Sequence, residues 1–255
     1  MRFRFRCDIV QSFDLRKTLH DILVQLMTLS QSRDGRLIES SFLFHFSVPC
    51  YYFKGHWKKS GVSLPEAYAL PCFDQLDQSS KDGKKPWAEV RLAWNAEGFI
   101  LNLSVTGKQQ DPWCRDSRIE DSDGIALWFN ARSSAPIHRA SRFCHEFRFL
   151  PLGEGTQMKQ PIARQCEIKR AKENAKVASG FPPQVRSQSQ SEGYALQAFI
   201  PGKGISGFDP DEHPHIGFHF VVSDQERGIH AMTLGDAFPT DADPSLWSTL
   251  ELVDS

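Results

Sequence analysis

The stretch Trp87-Ala-Glu-Val-Arg-Leu-Ala-Trp-Asn95-Ala-Glu-Gly98-Phe-Ile-Leu-Asn-Leu-Ser-Val-Thr106 decides the fold class. Val90, Leu92 and Trp94 fall on every second position, with Glu89, Arg91 and Ala93 between them. A period of two is that of a strand with one buried face; a helix would space its apolar residues three and four apart. Asn95-Ala-Glu-Gly98 supplies a four-residue turn, and residues 99–106 return as the partner strand of a hairpin.

The same period extends along the chain. Phe42, Phe44, Phe46 and Val48 alternate with Leu43, His45 and Ser47. Phe143, His145, Phe147 and Phe149 alternate with Cys144, Glu146 and Arg148, which puts His145 on a phenylalanine face. Residues 124–130 are apolar almost throughout, as in a strand covered on both faces. Further strands are expected over 163–170, 184–190, 194–200, 215–222 and 247–253, with residues 54–84 as loop. Nine or ten short strands and little helix describe an all-β fold, an antiparallel β-sandwich of jelly-roll or immunoglobulin-like type. Leu15, Leu19, Ile22, Leu23, Leu26 and Met27 instead recur at helical spacing. The expected organisation is an N-terminal helical extension over 1–40 and one sandwich domain over 41–255.

Composition narrows the function. The 255 residues hold 30 lysines and arginines against 31 aspartates and glutamates, a net charge of −1, and 40% are hydrophobic. That excludes wholesale disorder and a globally basic nucleic-acid binder. Apolar runs are too short to span a bilayer, so no membrane partner is expected. Six cysteines occur without a C-x-x-C pair, which argues against a zinc ribbon or a thioredoxin motif. The apolar run Ile22-Leu-Val-Gln-Leu-Met27 is too short for a secretory core, so a cytoplasmic location with free thiols is the default; a misassigned start would change it. The charge balance hides blocks: residues 131–186 hold eleven basic against four acidic residues, and residues 205–255 one against ten. The two blocks are expected to meet across the sandwich.

Several segments in order resemble the family 9 carbohydrate-binding modules, within the wider DOMON-like β-sandwich group. They are Trp87–Asn95, Gly98 opening a hairpin, Asp121-Ser-Asp-Gly-Ile-Ala-Leu-Trp-Phe-Asn130, Gly193-Tyr-Ala-Leu-Gln-Ala-Phe-Ile-Pro201, residues 216–224, and Leu246-Trp-Ser-Thr-Leu-Glu-Leu252. The resemblance spans about residues 85–253. Ile137-His-Arg-Ala-Ser-Arg-Phe-Cys-His145 further resembles a bacterial subgroup of such domains. Gln197 departs from the pattern, which often carries Glu there, and this weakens a carried-over carboxylate or calcium role. The resemblance implies a non-catalytic module binding a glycan, with loop aromatics forming the sugar platform.

Trp113 stands in the polar loop Lys108-Gln-Gln-Asp-Pro-Trp-Cys-Arg-Asp116 and Trp57 in Gly55-His-Trp-Lys58, so both are platform candidates. Arg132, His138, Arg139 and Arg142 supply donors for hydroxyls or anions, and a uronate or sulfated glycan suits so basic a loop. The alternative is that they pair with the acidic C-terminal block. No resident cofactor is expected; Asp121 and Asp123 are weak candidates for Ca²⁺, against capping roles in a turn. Cys144 and His145 point to opposite faces of one strand, which disfavours a catalytic pair. Two other readings are an enzyme acting on glycans through Glu120 or Asp123 with Arg142, and a haem-binding relative with Met232 and His219 as axial ligands.

Overall fold

The computed structural model describes residues 46–71, 86–133, 136–233 and 238–254. All fall within the unit Ser41–Ser255. The helix expected over 15–29, and with it the extension 1–40, lies outside the described residues.

Among the described residues, eleven strands run in chain order: β1 (Ser47–Tyr51), β2 (Ala88–Asn95), β3 (Gly98–Thr106), β4 (Gly124–Asn130), β5 (Cys144–Glu154), β6 (Gln160–Cys166), β7 (Gln184–Gln190), β8 (Gly193–Pro201), β9 (His215–Asp224), β10 (Gly228–Ala231) and β11 (Ser248–Val253). The larger sheet has the order β1-β11-β9-β4-β5-β6, with β10 also on β9; the smaller is β2-β3-β8-β7. The sandwich is as expected, with two corrections. β1 pairs with β11 in parallel rather than antiparallel fashion. After β9, residues 225–227 turn the chain into β10, a strand not expected from the sequence because four residues are too few to display a period.

The β2–β3 hairpin closes with Asn95 opposite Gly98. Gly98 has φ +140°, and a Cβ there would lie 2.1 Å from the Ile200 carbonyl oxygen, so only glycine fits. The core between the sheets centres on Phe129, whose ring lies 4.9 Å from Phe99, 5.0 Å from Phe218 and 6.1 Å from Phe147. Trp94 belongs to this core, as its alternation requires.

Both outer faces are covered as well. Ala126 and Trp128 of β4 pack outward with Cys144, Ala140, Ile168 and Trp247, which explains a strand that is apolar on both sides. On the smaller sheet, Ala93, Ile100 and Phe199 lie beneath Leu64, with Phe53, Trp57, Val62 and Tyr68 against them. Cys50, Cys114, Cys144 and Cys166 are free thiols.

Candidate functional site

The registers place functional candidates at two ends of the sandwich. Gly98 pairs with Pro201, and Asn130 pairs with Cys144 and Gly217, so the hairpin turn, residues 201–208 and residues 131–133 and 142–143 form a turn end. Residues 107–123 and 223–228 form the other.

At the turn end, Ala131 N–H donates to the Phe143 carbonyl at 3.0 Å and closes the loop between β4 and β5. The guanidinium carbons of Arg132 and Arg142 lie 5.5 and 5.0 Å from the centroid of the Phe143 ring. Gly207, with φ +83°, gives ring and stem room: a Cβ there would come 2.7 Å from Phe143 Cδ1 and 3.2 Å from Arg132 Cγ. Both arginines are exposed. Phe143 was expected inside a strand beside His145; β5 begins one residue later, and the ring sits half-buried at the surface.

His138 and Arg139 do something else. His138 Nδ1 lies 3.1 Å from Asp243 Oδ2 and 3.1 Å from Ser245 Oγ, while Ser245 Oγ donates to Asp243 Oδ1 at 2.6 Å. Serine and carboxylate meet the same ring nitrogen, so this is no catalytic triad, which needs them on opposite nitrogens. Asp243 caps the 3-10 turn Pro244–Leu246 through Ser245 N–H at 2.9 Å. Burial pushes the Asp243 pKa up, but hydrogen bonds from Ser245 and His138 outweigh it and hold the carboxyl below its ordinary value. Arg139 donates to the carbonyls of Arg170 and Ala171 at 3.0 and 3.2 Å. These contacts pin the loop over the Trp128 face.

At the opposite end, Trp113 is half-buried and its ring carries the guanidinia of Arg115 and Arg118 at 5.6 and 5.5 Å. Its platform is occupied by the chain itself. Asp121 ends a 3-10 turn and binds Arg118 at 2.7 Å, so strand alternation does not apply and it diverges from buried Asp123. Asp123 accepts N–H bonds from Trp113 at 3.0 Å and Gln225 at 2.8 Å. The Lys108 ammonium lies 2.7 Å from both Asp224 oxygens, 3.3 Å from Asp123 and 3.9 Å from Glu226. Among the described residues no group of three or more His, Cys, Asp or Glu could hold a metal ion. Burial opposes charging of Lys108, yet its bonds to Asp224 and the charges of Asp123 and Asp224 raise its pKa above the ordinary value. Neither Lys108 nor Asp224 was singled out in the sequence, since their meeting joins residues 116 positions apart.

Trp57 stacks on Phe199 at 5.8 Å and 11°, and its Nε1–H donates to Gln184 Oε1 at 2.8 Å. It closes the outer face of the smaller sheet. Beside it, Asn102 Oδ1 accepts from Leu64 N–H at 2.6 Å and Arg91 donates to the Leu64 carbonyl at 2.7 Å, clasping the covering segment.

The enzymatic candidates do not converge. Glu120 is exposed and bound to Lys169 at 2.7 Å, and Asp123 lies at the opposite end from Arg142. His219 faces outward against Trp128 at 5.7 Å, whereas Met232 belongs to the inter-sheet core, so the two cannot ligate one iron. His145 is buried; its Nε2 accepts Ser206 N–H at 3.0 Å, and burial lowers its pKa to about 4. Cys144 packs on the opposite face, as expected. The charge blocks meet only through His138 and Asp243 among the ion pairs of the described residues. Arg164 and Lys169 turn to Asp116 and Glu120, and the acids Asp224 and Glu226 turn to Lys108.

These features define a β-sandwich module with both sheets covered and its loop candidates distributed over separate surfaces. Its fold is that of the family 9 carbohydrate-binding modules. One such module from Caldicellulosiruptor kristjanssonii, solved in complex with cellotriose, superposes with a TM-score of 0.51 at 13% identity, covering 82% of this chain and 95% of that one. A module of the same family and organism in complex with glucose gives a TM-score of 0.52 at 13% identity, covering 82% and 97%. No family model and no curated protein matches the sequence. Among the described residues no helix is long and apolar enough to cross a membrane.

Proposed function

We propose that this chain is a non-catalytic carbohydrate-binding module that holds its glycan at the turn end, on the Phe143 surface with Arg132 and Arg142 as donors. The observation that carries this reading is the fold, shared with sugar-bound modules over almost their whole length. The site is chosen by elimination of the other candidates. The arginines over Trp113 are occupied by Asp121 and the Cys114 carbonyl, Trp57 is a cover for Phe199, and His138 and Arg139 are spent on pinning their loop. Arg132 and Arg142 cover the Phe143 ring but are exposed, so their guanidinia rather than the ring supply the contacts, as donors for sugar hydroxyls.

Affinity electrophoresis through gels carrying soluble polysaccharides tests this. At least one glycan is expected to retard the protein. The Arg132→Ala/Arg142→Ala variant should run free, Trp113→Ala should still be retarded, and EDTA should change nothing. Free migration of the native chain in every glycan gel removes the proposal.

A further inference from the structure

We infer that the glycan held at the turn end is acidic, carrying carboxylate or sulfate groups on its sugars; this rests on the module reading above. Arg132 and Arg142 share one ring, yet neither has an ion-pair partner within 4 Å among the described residues. The other arginines that rest on rings are engaged: Arg118 holds Asp121, Arg148 holds Glu146 and Arg115 donates to the Cys114 carbonyl. In the adjoining loop, none of Asp209, Asp211 and Glu212 forms an ion pair with either guanidinium. Asp209 Oδ1 accepts the Glu212 N–H at 3.2 Å, and the Glu212 carboxylate lies 3.8 Å from His213.

The turn end carries a further cation on a different ring. Lys203, on the 201–208 segment that carries Gly207, places its ammonium 5.6 Å from the ring of Phe181, which is itself 44% exposed. Both guanidinia are exposed and lie over a phenyl ring, which offers no lone pair, so their N–H groups stay available. A carboxylate or sulfate satisfies such a fork with two parallel charge-assisted bonds, whereas a neutral hydroxyl offers one oxygen. Two exposed cations held on one ring concentrate a positive potential that attracts an anion.

The test uses the full chain at physiological ionic strength, with paired glycans that differ in charge alone. Polygalacturonate is compared with its methyl ester, and dextran sulfate with dextran, by calorimetry and gel retardation; polyglutamate controls for charge without sugar. One acidic member is expected to bind about tenfold or more tightly than its neutral counterpart. Arg132→Gln and Arg142→Gln should each remove most of that difference, with thermal melts confirming that both variants fold. Preference for polygalacturonate assigns a uronate, and preference for dextran sulfate a sulfate ester. Equal binding to the acidic and neutral members overturns the inference and leaves the module reading standing. Equal binding of polyglutamate overturns it in favour of an unspecific polyanion surface. Binding to no glycan at all removes both.

Discussion

Replacing Lys108 by methionine keeps most of the side-chain volume and deletes only the charge. In the native chain that ammonium is 2% exposed and sits among Asp224, Asp123 and Glu226. Its loss strands two carboxylates that are themselves 1% exposed or less. Breaking a buried ion pair by removing one partner costs about 3–5 kcal/mol, because the remaining charge keeps its desolvation penalty. For a domain of this size that corresponds to a fall in Tm of about 6–20 °C. Differential scanning calorimetry at pH 7 measures it directly. A second substitution separates the stranded charge from lost packing. Asp224→Asn keeps an Oδ1 acceptor for the N–H groups of Glu226 and Arg227, at 3.0 and 2.9 Å, while removing one of the two charges. The double variant should therefore be more stable than Lys108→Met alone. Acid should help the single variant too. Burial already raises the Asp123 pKa, despite N–H bonds from Gln225 and Trp113, and losing Lys108 raises it further. A carboxyl whose folded pKa exceeds its unfolded value takes up a proton first in the native state. The deficit should shrink as pH falls from 7 toward about 4. A deficit under about 1 kcal/mol at pH 7, or one that widens on acidification, refutes the argument.

His219 is fully buried, neither ring nitrogen has a hydrogen-bond partner among the described residues, and burial lowers its pKa to about 3. The unfolded chain binds its proton near pH 6.5, so stability should fall by about 2 kcal/mol between pH 6.5 and 5 on this account. His219→Leu should abolish that portion in urea titrations and be neutral or stabilising at pH 7; a loss above about 1 kcal/mol there would mean the nitrogens have a partner. Gly98→Ala should cost about 2 kcal/mol or more by denaturant unfolding, since its Cβ would meet the Ile200 oxygen; a neutral result would show the turn relaxes freely. Trp113→Ala should lower stability by about 1–2 kcal/mol, from two arginine–ring contacts and lost burial, without touching glycan binding; a change in retardation would return Trp113 to the ligand surface.

The legible part of the fold was the part with a period. The alternations at Val90, Leu92 and Trp94 and at Phe147 and Phe149 recur as β2 and β5, and the strand expected over 184–190 is β7. Trp128 and Trp247 pack as dense apolar strands imply. β10 and the parallel pairing of β1 escaped, one for brevity and the other because pairing direction leaves no local mark. Of the site, the sequence found the basic loop but could not divide it. Arg132 and Arg142 differ from His138 and Arg139 only in what lies opposite: Phe143 and Gly207 in one case, Asp243 and the Arg170 and Ala171 carbonyls in the other.

The sequence by itself determined an all-β sandwich, because side-chain direction along a strand is set by the backbone and survives as a two-residue period. It also determined where basic and acidic residues are dense. Only the tertiary structure decided which charges neutralise one another. Ion pairing depends on distance through space, and here Lys108 meets Asp224, Arg164 meets Asp116, and among the described residues the two expected blocks pair through His138 and Asp243. Charges that pair are removed from function, and the guanidinia on Phe143 are exposed and have no ion-pair partner among the described residues.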